Sequence, residues 1–177
     1  MDDRPAPMTA WRLELGRHDW AALRCGCGGS GAHLPGTFER LLSARSPQET
    51  VGHGLAGHLE EQSMLFEVAP HAVPVVLAAL TCDDLLPQVK GHLLGMLEFL
   101  VAGESHLSEI RAGRPDLDEA CLEAVREGIW QLYAEAASGD TQAALDVLEI
   151  ADPDESRFAY YRAHLAGRVG KRPPASG

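Results

Sequence analysis

The stretch over residues 70–101 constrains the fold more than any other, because two apolar patterns of helical period follow each other in it. The first pattern predicts a short helix over 72–80, with inward residues at Val73, Val76, Leu77 and Leu80. Pro87 opens a second helix, which runs to Val101 and is apolar around most of its circumference. So broad an apolar arc requires neighbours on more than one side, so we expect this helix to be central.

A capping box with proline at its second position, Ser46-Pro47-Gln48-Glu49, predicts a further helix that runs to about residue 67. Gly52, Gly54 and Gly57 oppose this helix, by roughly 0.8–1.0 kcal/mol each relative to alanine. We interpret their spacing as a glycine-lined face that lets a neighbouring helix approach closely.

The rest of the chain repeats this pattern of caps and apolar stripes. Asp116 and Asp152 predict the starts of two more helices, the first ending at Gly139, and shorter helices are expected over 19–24, 35–44 and 141–150. No segment shows the sustained alternation of a sheet. We therefore predict an all-α protein of about seven or eight helices. Its single domain spans 17–168, between a loose N-terminal arm over 1–16 that docks Trp11 and Leu13 and a disordered tail over 169–177.

The segment from residue 61 to residue 80, EQSMLFEVAPHAVPVVLAAL, resembles a family of small bacterial HEAT-repeat proteins that is common in actinobacteria. The recurring element of that family is H-Q-G-T-x-Y-E-A, a small-residue corner, and A-V-P-x-L-x-x-L-L. The matching positions here are Gln62, Phe66, Glu67, Ala72, Val73, Pro74 and Leu77. Glu61 stands where the family has histidine, and Ser63 and Met64 stand where it has glycine and threonine.

The resemblance covers about residues 17–168 and implies a right-handed α-α superhelix of HEAT-like helical hairpins. Some proteins of the family lie beside secreted toxins and look like immunity proteins. The resemblance therefore implies a non-enzymatic protein that binds another protein.

Acidic residues are concentrated in one block of the chain. Residues 98–155 carry 15 acids and only 3 arginines, within a chain of net charge −11. Such a block repels phosphate backbones and attracts a basic partner, so we expect protein binding and no nucleic-acid binding. The alternative is a surface that only keeps the protein soluble. The candidate partner-binding residues are Glu98, Glu104, Glu109, Asp116, Glu119, Glu123, Glu127, Asp146 and Glu149.

Cys25, Cys27 and His33 could supply soft metal ligands or a redox pair, but a C-x-C spacing is short for zinc and no fourth ligand follows in sequence. His53 and His58 could share a helix face with Glu61, although the order of the surrounding residues does not match a carboxylate-bridged site. A half-buried, hydrogen-bonded histidine is the expected role there. We therefore expect no cofactor and no metal.

No catalytic motif of hydrolases, phosphate-binding loops or zinc proteases occurs in the sequence. The leading hypothesis is a non-enzymatic immunity protein that neutralises a basic toxin, such as a nuclease, through its acidic surface. A metal-binding or redox enzyme built on the Cys25/Cys27/His33 loop is the alternative, and a HEAT-like DNA glycosylase is a third possibility that would need a cationic face. Without a secretory signal or an apolar run of membrane-spanning length, we expect a cytoplasmic protein that does not bind membranes.

Overall fold

The computed structural model describes residues 8–169, and the predictions for residues 1–7 and 170–177 lie outside that range. The chain is mostly helical, as predicted. Within the described residues there are nine α-helices: α1 Ala10–Gly16, α2 Leu34–Ser43, α3 Val68–Leu80, α4 Pro87–Val101, α5 Leu107–Arg111, α6 Leu117–Glu127, α7 Ile129–Ser138, α8 Thr141–Ala151 and α9 Glu155–Leu165. None of these helices combines the length and the apolarity that crossing a bilayer requires.

Helices α3 and α4 form the centre of the protein. α3 packs against α1, α6, α4 and α7, while α4 also packs against α6 and α8. Leu93, Leu94, Leu97 and Leu100 of α4 are all completely buried. Burying each such side chain contributes about 1.5–3 kcal/mol, so these two helices dominate the stability of the core. The prediction of a central helix over residues 87–101 is confirmed.

The predicted helix over residues 46–67 is wrong. Pro47–Thr50 is a single 3₁₀ turn, and Gly52 and Gly57 have φ values of +80° and +78°, which a right-handed helix does not contain. The capping box does not form, because the Ser46 hydroxyl caps no amide and the Glu49 carboxylate accepts from the amide of Arg45, 2.9 Å away, and not from that of Ser46. The glycines serve turns and do not line a helix face.

Three two-residue strands follow this segment: β1 Glu60–Glu61, β2 Met64–Leu65 and β3 Glu104–Ser105. β1 and β2 pair antiparallel, and β2 and β3 pair parallel. The alternation rule could not find strands of this length, because two residues carry no period. The sheet attaches the hairpin before α3 to the loop after α4.

Two further boundaries differ from the sequence predictions. The helix expected between Asp116 and Gly139 is divided into α6 and α7 at Gly128, where an added Cβ would lie 2.6 Å from the Leu77 side chain of α3. A side chain at position 128 would therefore have to displace Leu77 of α3. Residues 19–24 form only the 3₁₀ turn Trp20–Ala22.

The N-terminal arm is also more ordered than expected, because residues 10–16 form α1 against α3. Trp11 is buried as predicted, whereas Leu13 is 56% exposed and Leu15 is buried instead. At the other end, Asp154 and not Asp152 caps α9, accepting from the Arg157 amide at 3.0 Å. Asp152 is instead buried against Tyr133 and Arg157.

Candidate metal centre

The Cys25–Cys27 pair lies in a tight loop closed by a β-bridge between Arg24 and Ser30. Inside the loop, the Cys25 amide donates to the Gly29 carbonyl at 2.9 Å, and the Gly28 amide donates to the Cys25 carbonyl at 3.1 Å. Gly28 adopts a φ of +89°, a backbone conformation that strongly favours glycine. Gly28 thus allows the turn that presents the two cysteines.

His33 is held by the start of a helix. It is the last residue of the 3₁₀ turn Gly31–His33 and directly precedes α2. The Ser30 hydroxyl accepts from the Ala32 amide at 3.4 Å at the start of this turn. The Gly31 amide donates to the Leu23 carbonyl at 2.8 Å, which fixes the turn against the chain before the cysteine loop.

His58 comes from the irregular segment that was expected to be helical. The Gly26 amide donates to the His58 carbonyl at 2.9 Å, so this segment lies directly against the cysteine loop. A Cβ added at Gly26 would lie 2.7 Å from both the Gly57 carbonyl and the Phe66 ring. Glycine at position 26 is therefore required for the two segments to come together.

The side chains of these segments converge on one point. The Cys25 Sγ lies 3.4 Å from His58 Nδ1 and 3.8 Å from His33 Nε2, and the two histidine nitrogens are 3.1 Å apart. The Cys27 thiol completes the group, in which all four donor atoms lie within 4.8 Å of one another. Within residues 8–169, this is the one group of metal-ligand side chains that meets such a criterion.

The three distances among Cys25, His33 and His58 are close to the edges of a tetrahedral zinc site, and the distances to the Cys27 thiol are at most 4.8 Å. With Zn–S of about 2.3 Å and Zn–N of about 2.0–2.1 Å, a tetrahedron has edges of about 3.3 Å between nitrogens and about 3.6 Å between sulfur and nitrogen. A hydrogen bond between two imidazoles would explain one of the short distances. It would not explain why two thiols and two imidazoles from three separate segments meet at one place.

The centre lies at the protein surface. Cys25 is buried and His58 half-buried, while Cys27 and His33 are exposed. Burial raises the pKa of the Cys25 thiol to about 11, and burial together with the nearby His33 lowers the pKa of His58. Without a cation, the site therefore favours a neutral thiol and a neutral imidazole, and a metal would displace the thiol proton.

A network of ion pairs fixes the backbone beside Cys25. The Arg24 amide donates to the Glu67 carboxylate at 3.0 Å, and the Arg24 carbonyl accepts from the Val68 amide at 3.2 Å. The Arg24 side chain lies 3.3 Å from the carboxylate of Glu109, which Arg114 also contacts at 2.6 Å. Because Glu109 is fully buried, the network ties the cysteine loop to α3 and α5 through a group that solvent does not reach.

The structure also locates the predicted partner-binding residues. Glu109 is completely buried in this network, so its assignment to an acidic surface is wrong. Asp146 is half-buried and accepts from Gln142. The remaining candidates are exposed: Glu98, Glu104, Asp116, Glu119, Glu123, Glu127 and Glu149. Three of these, Glu119, Glu123 and Glu127, recur at every fourth residue of α6 and therefore share one face.

A surface cavity of about 520 Å³ lies elsewhere, between the loop before α4 and the end of α7. Its buried Glu135 accepts from the Asp140 amide at 3.1 Å and contacts the Lys90 ammonium at 3.5 Å. Each of its two oxygens is therefore bound by a group of the protein. This pairing makes Glu135 a structural carboxylate and does not poise it as a free acid or base.

Of the four clustered residues, the sequence identified Cys25, Cys27 and His33 as a possible ligand set, which was rejected because the C-x-C spacing is short for zinc and no fourth ligand follows. His58 was missed because it was assigned to a helix. The signal that could have found it is the sequence Gly-His58 within a segment of three glycines, which is typical of a loop. Comparisons with protein-family models, with curated proteins and with solved structures find no match to this chain.

Proposed function

We propose that this chain is a zinc-binding helical protein in which Zn²⁺ is held by Cys25, Cys27, His33 and His58. The observation that supports it is the convergence of four donor atoms within 4.8 Å from three separate segments. Two thiolates and two imidazoles are soft and borderline ligands, which favour Zn²⁺ over the oxygen-preferring Mg²⁺ and Ca²⁺.

The role of the metal in this proposal is structural. Four protein ligands fill a tetrahedral zinc and leave no position for a water or a substrate. Zinc would join the cysteine loop, the start of α2 and the irregular segment over 51–59, and neither the cysteine loop nor that segment contains an α-helix or a strand of the sheet. The metal thus supplies a cross-link where regular secondary structure is lacking.

The test is metal analysis of protein purified without a histidine tag, together with Co²⁺ substitution. We expect one zinc per chain, and for Co²⁺ the thiolate charge-transfer and tetrahedral d–d absorption bands. Cys25→Ser and His58→Gln should each lower zinc affinity by at least about 10–100-fold, the loss typical even of residues that only support a ligand.

Two matched variants control for general damage. Cys82→Ser changes a free thiol outside the cluster, and His53→Gln changes a histidine of the same irregular segment that is not among the four ligands. Both variants should bind zinc like the unchanged protein. Protein that binds less than stoichiometric zinc after refolding with excess Zn²⁺ would refute the proposal.

We also propose that the protein has a non-enzymatic partner-binding role of the immunity type. In this proposal its hairpins pack in the manner of HEAT repeats, and the protein is cytoplasmic. It is supported by the family resemblance and by the exposed stripe of Glu119, Glu123 and Glu127 on α6. Like charges four residues apart cost a helix roughly 0.2–0.5 kcal/mol per pair, and a basic partner would remove that cost.

Charge reversal separates binding from folding in this second proposal. Replacing Glu123 by lysine should weaken binding to a basic toxin encoded by a neighbouring gene and abolish protection in co-expression, while stability is kept or slightly raised. The control is Glu155→Lys on α9, an exposed acid outside the stripe. If no neighbouring gene product binds the unchanged protein, this proposal fails without affecting the zinc proposal.

A further inference from the structure

The two cysteines of the metal centre differ in their access to solvent. Cys27 is exposed, whereas Cys25 is buried, with only 4% of its surface exposed. In a zinc complex both would be thiolates, and the thiolate is the form of cysteine that reacts with oxidants. A small oxidant in solution therefore reaches Cys27 first.

The same two cysteines are close enough to form a disulfide with each other. Only Gly26 separates them, so their Cα atoms are at most about 7 Å apart, near the upper end of the range that disulfides span. Their sulfur atoms already lie within the 4.8 Å group. The other two cysteines, Cys82 and Cys121, are not part of this group.

We propose that this centre is a peroxide-responsive zinc switch, in which a Cys25–Cys27 disulfide forms and the metal leaves. The inference rests on the zinc-binding function proposed above. Two thiolate ligands would be lost at once, and the two remaining histidines do not make up the ligand set that holds structural zinc.

The reaction balances in two steps. The Cys27 thiolate attacks one oxygen of hydrogen peroxide, the O–O bond breaks, and the leaving hydroxide takes a proton from solvent to become water. The Cys25 thiolate then attacks the sulfur of the resulting sulfenic acid, the S–S bond forms, and a second hydroxide leaves and is protonated. Two thiolates have lost two electrons, peroxide has gained them, and Zn²⁺ is released without a change of oxidation state.

Release of the metal would loosen the contact between the cysteine loop and the segment around His58. The other bonds that join them run to the His58 carbonyl from the Gly26 amide, at 2.9 Å, and from the Cys25 thiol, at 3.6 Å, and the second is lost when the disulfide forms. Leu55 and Leu59 of the same segment stay buried in the core. The centrally placed helices α3 and α4 contribute no ligand. The switch therefore changes the surface around residues 51–59 and leaves the core folded.

The experiment uses the zinc-loaded full chain treated with hydrogen peroxide, with released zinc followed by a chromophoric chelator. We expect one zinc released for each disulfide formed, peptide mapping that joins Cys25 to Cys27, and full reloading after reduction with a thiol in the presence of zinc. A Cys82→Ser/Cys121→Ser double variant, in which the four ligands are intact, should release zinc to the same extent.

The inference is overturned if zinc stays bound after oxidation, or if zinc leaves while Cys25 and Cys27 end as sulfinic acids or as unmodified thiols. Its failure is distinguishable from failure of the proposed function. Reduced protein that binds stoichiometric zinc but is insensitive to peroxide removes the switch alone, whereas reduced protein that never binds zinc removes both.

Discussion

Gln62 and Ser63 occupy the two central positions of the β1–β2 hairpin turn, with φ values of +52° and +64°. Positive φ at both positions is the pattern of a type I′ turn, which strongly prefers glycine at the second position. A side chain in the left-handed region costs roughly 1–2 kcal/mol per residue. The Glu60 carboxylate offsets part of this strain by accepting from the Ser63 amide at 2.9 Å.

Replacing Ser63 by glycine should raise the free energy of unfolding by about 0.5–1 kcal/mol, because glycine adopts this conformation without strain. Urea denaturation of the zinc-loaded protein measures the change. The reverse substitution, Gly52→Ser, should lower stability by about 1 kcal/mol, since Gly52 has a φ of +80° and open space around its Cβ position. Equal stabilities for the three proteins would contradict a strained turn.

His92 of α4 accepts a hydrogen bond from the Leu55 amide through Nε2 at 3.2 Å. Only the neutral imidazole can accept there, and burial lowers the pKa of His92 below its ordinary 6.5. The unfolded chain therefore takes up this proton first as the pH falls. Stability contributed by His92 is present above pH 6.5 and is lost as the pH falls through the lowered value.

We expect His92→Gln to flatten the pH dependence of stability below pH 6.5, because the glutamine oxygen can accept from Leu55 but does not titrate. The slopes of unfolding free energy against pH should differ by up to about 1.4 kcal/mol per pH unit, the value for one proton. Chemical denaturation between pH 7.5 and 5 provides the measurement. Identical slopes would show that His92 takes up its proton equally in the folded and unfolded chains.

At the scale of elements, α9 shows how a helix can be attached without a buried stripe. None of its residues is buried, although Phe158, Tyr161 and Leu165 pack partly against the core. Asp152 makes the polar attachment, because its carboxylate accepts from the Tyr133 hydroxyl of α7 and from Arg157 Nε at 2.8 Å. The hydrogen bonds from Arg157 and Tyr133 lower the pKa of Asp152 to about 2.

Asp152→Asn should loosen α9 and lower the free energy of unfolding by about 2 kcal/mol, within the range for a hydrogen bond to a charged group. Hydrogen exchange should speed up in α9 and change little in α4. In the unchanged protein, Asp152 contributes its full share of the free energy of unfolding above its unfolded pKa near 3.8, and this share is lost as the pH falls through about 2. The control is Asp154→Asn, which keeps an N-cap acceptor and should lower the free energy of unfolding only slightly.

The irregular segment between α2 and β1 is the element that sequence reasoning described least well. Its predicted capping box is replaced by a bond between the two side chains, in which Ser46 Oγ donates to the Glu49 carboxylate at 3.0 Å. The segment does not form a helix because the glycines lower helix propensity and two of them adopt positive φ. Leu55 and Leu59 are nevertheless fully buried, so tertiary packing holds the segment in place.

At the scale of the whole molecule, the four residues of the candidate metal centre lie outside helices α3 and α4. We expect Cys25→Ser to keep the far-ultraviolet circular dichroism of a helical protein and to unfold cooperatively. A free zinc concentration a thousandfold above the Kd should stabilise the unchanged protein by about 4.1 kcal/mol. For a chain of this size, that raises the Tm by roughly 8–16 °C.

Thermal scans with and without a chelator measure this difference, and Cys82→Ser should respond to zinc as the unchanged protein does. A chain that loses its helical signal on chelation would contradict a peripheral role for the metal. A Tm that does not change with zinc concentration would contradict binding to the folded state.

The sequence by itself determined the helical class and the positions of the helices whose signals are local. The apolar stripe and Pro87 placed α4 at residues 87–101, because periodicity and a first-turn proline act within one helix. Tertiary structure decided the break at Gly128, where Leu77 occupies the space that a Cβ would need, and the burial of Glu109 among arginines. It also decided the cluster of Cys25, Cys27, His33 and His58, since the 30 residues between Cys27 and His58 contain no pattern that brings them together. Their meeting depends on a glycine at position 26 that lets two irregular segments touch, and such a contact is not encoded in the spacing of the ligands.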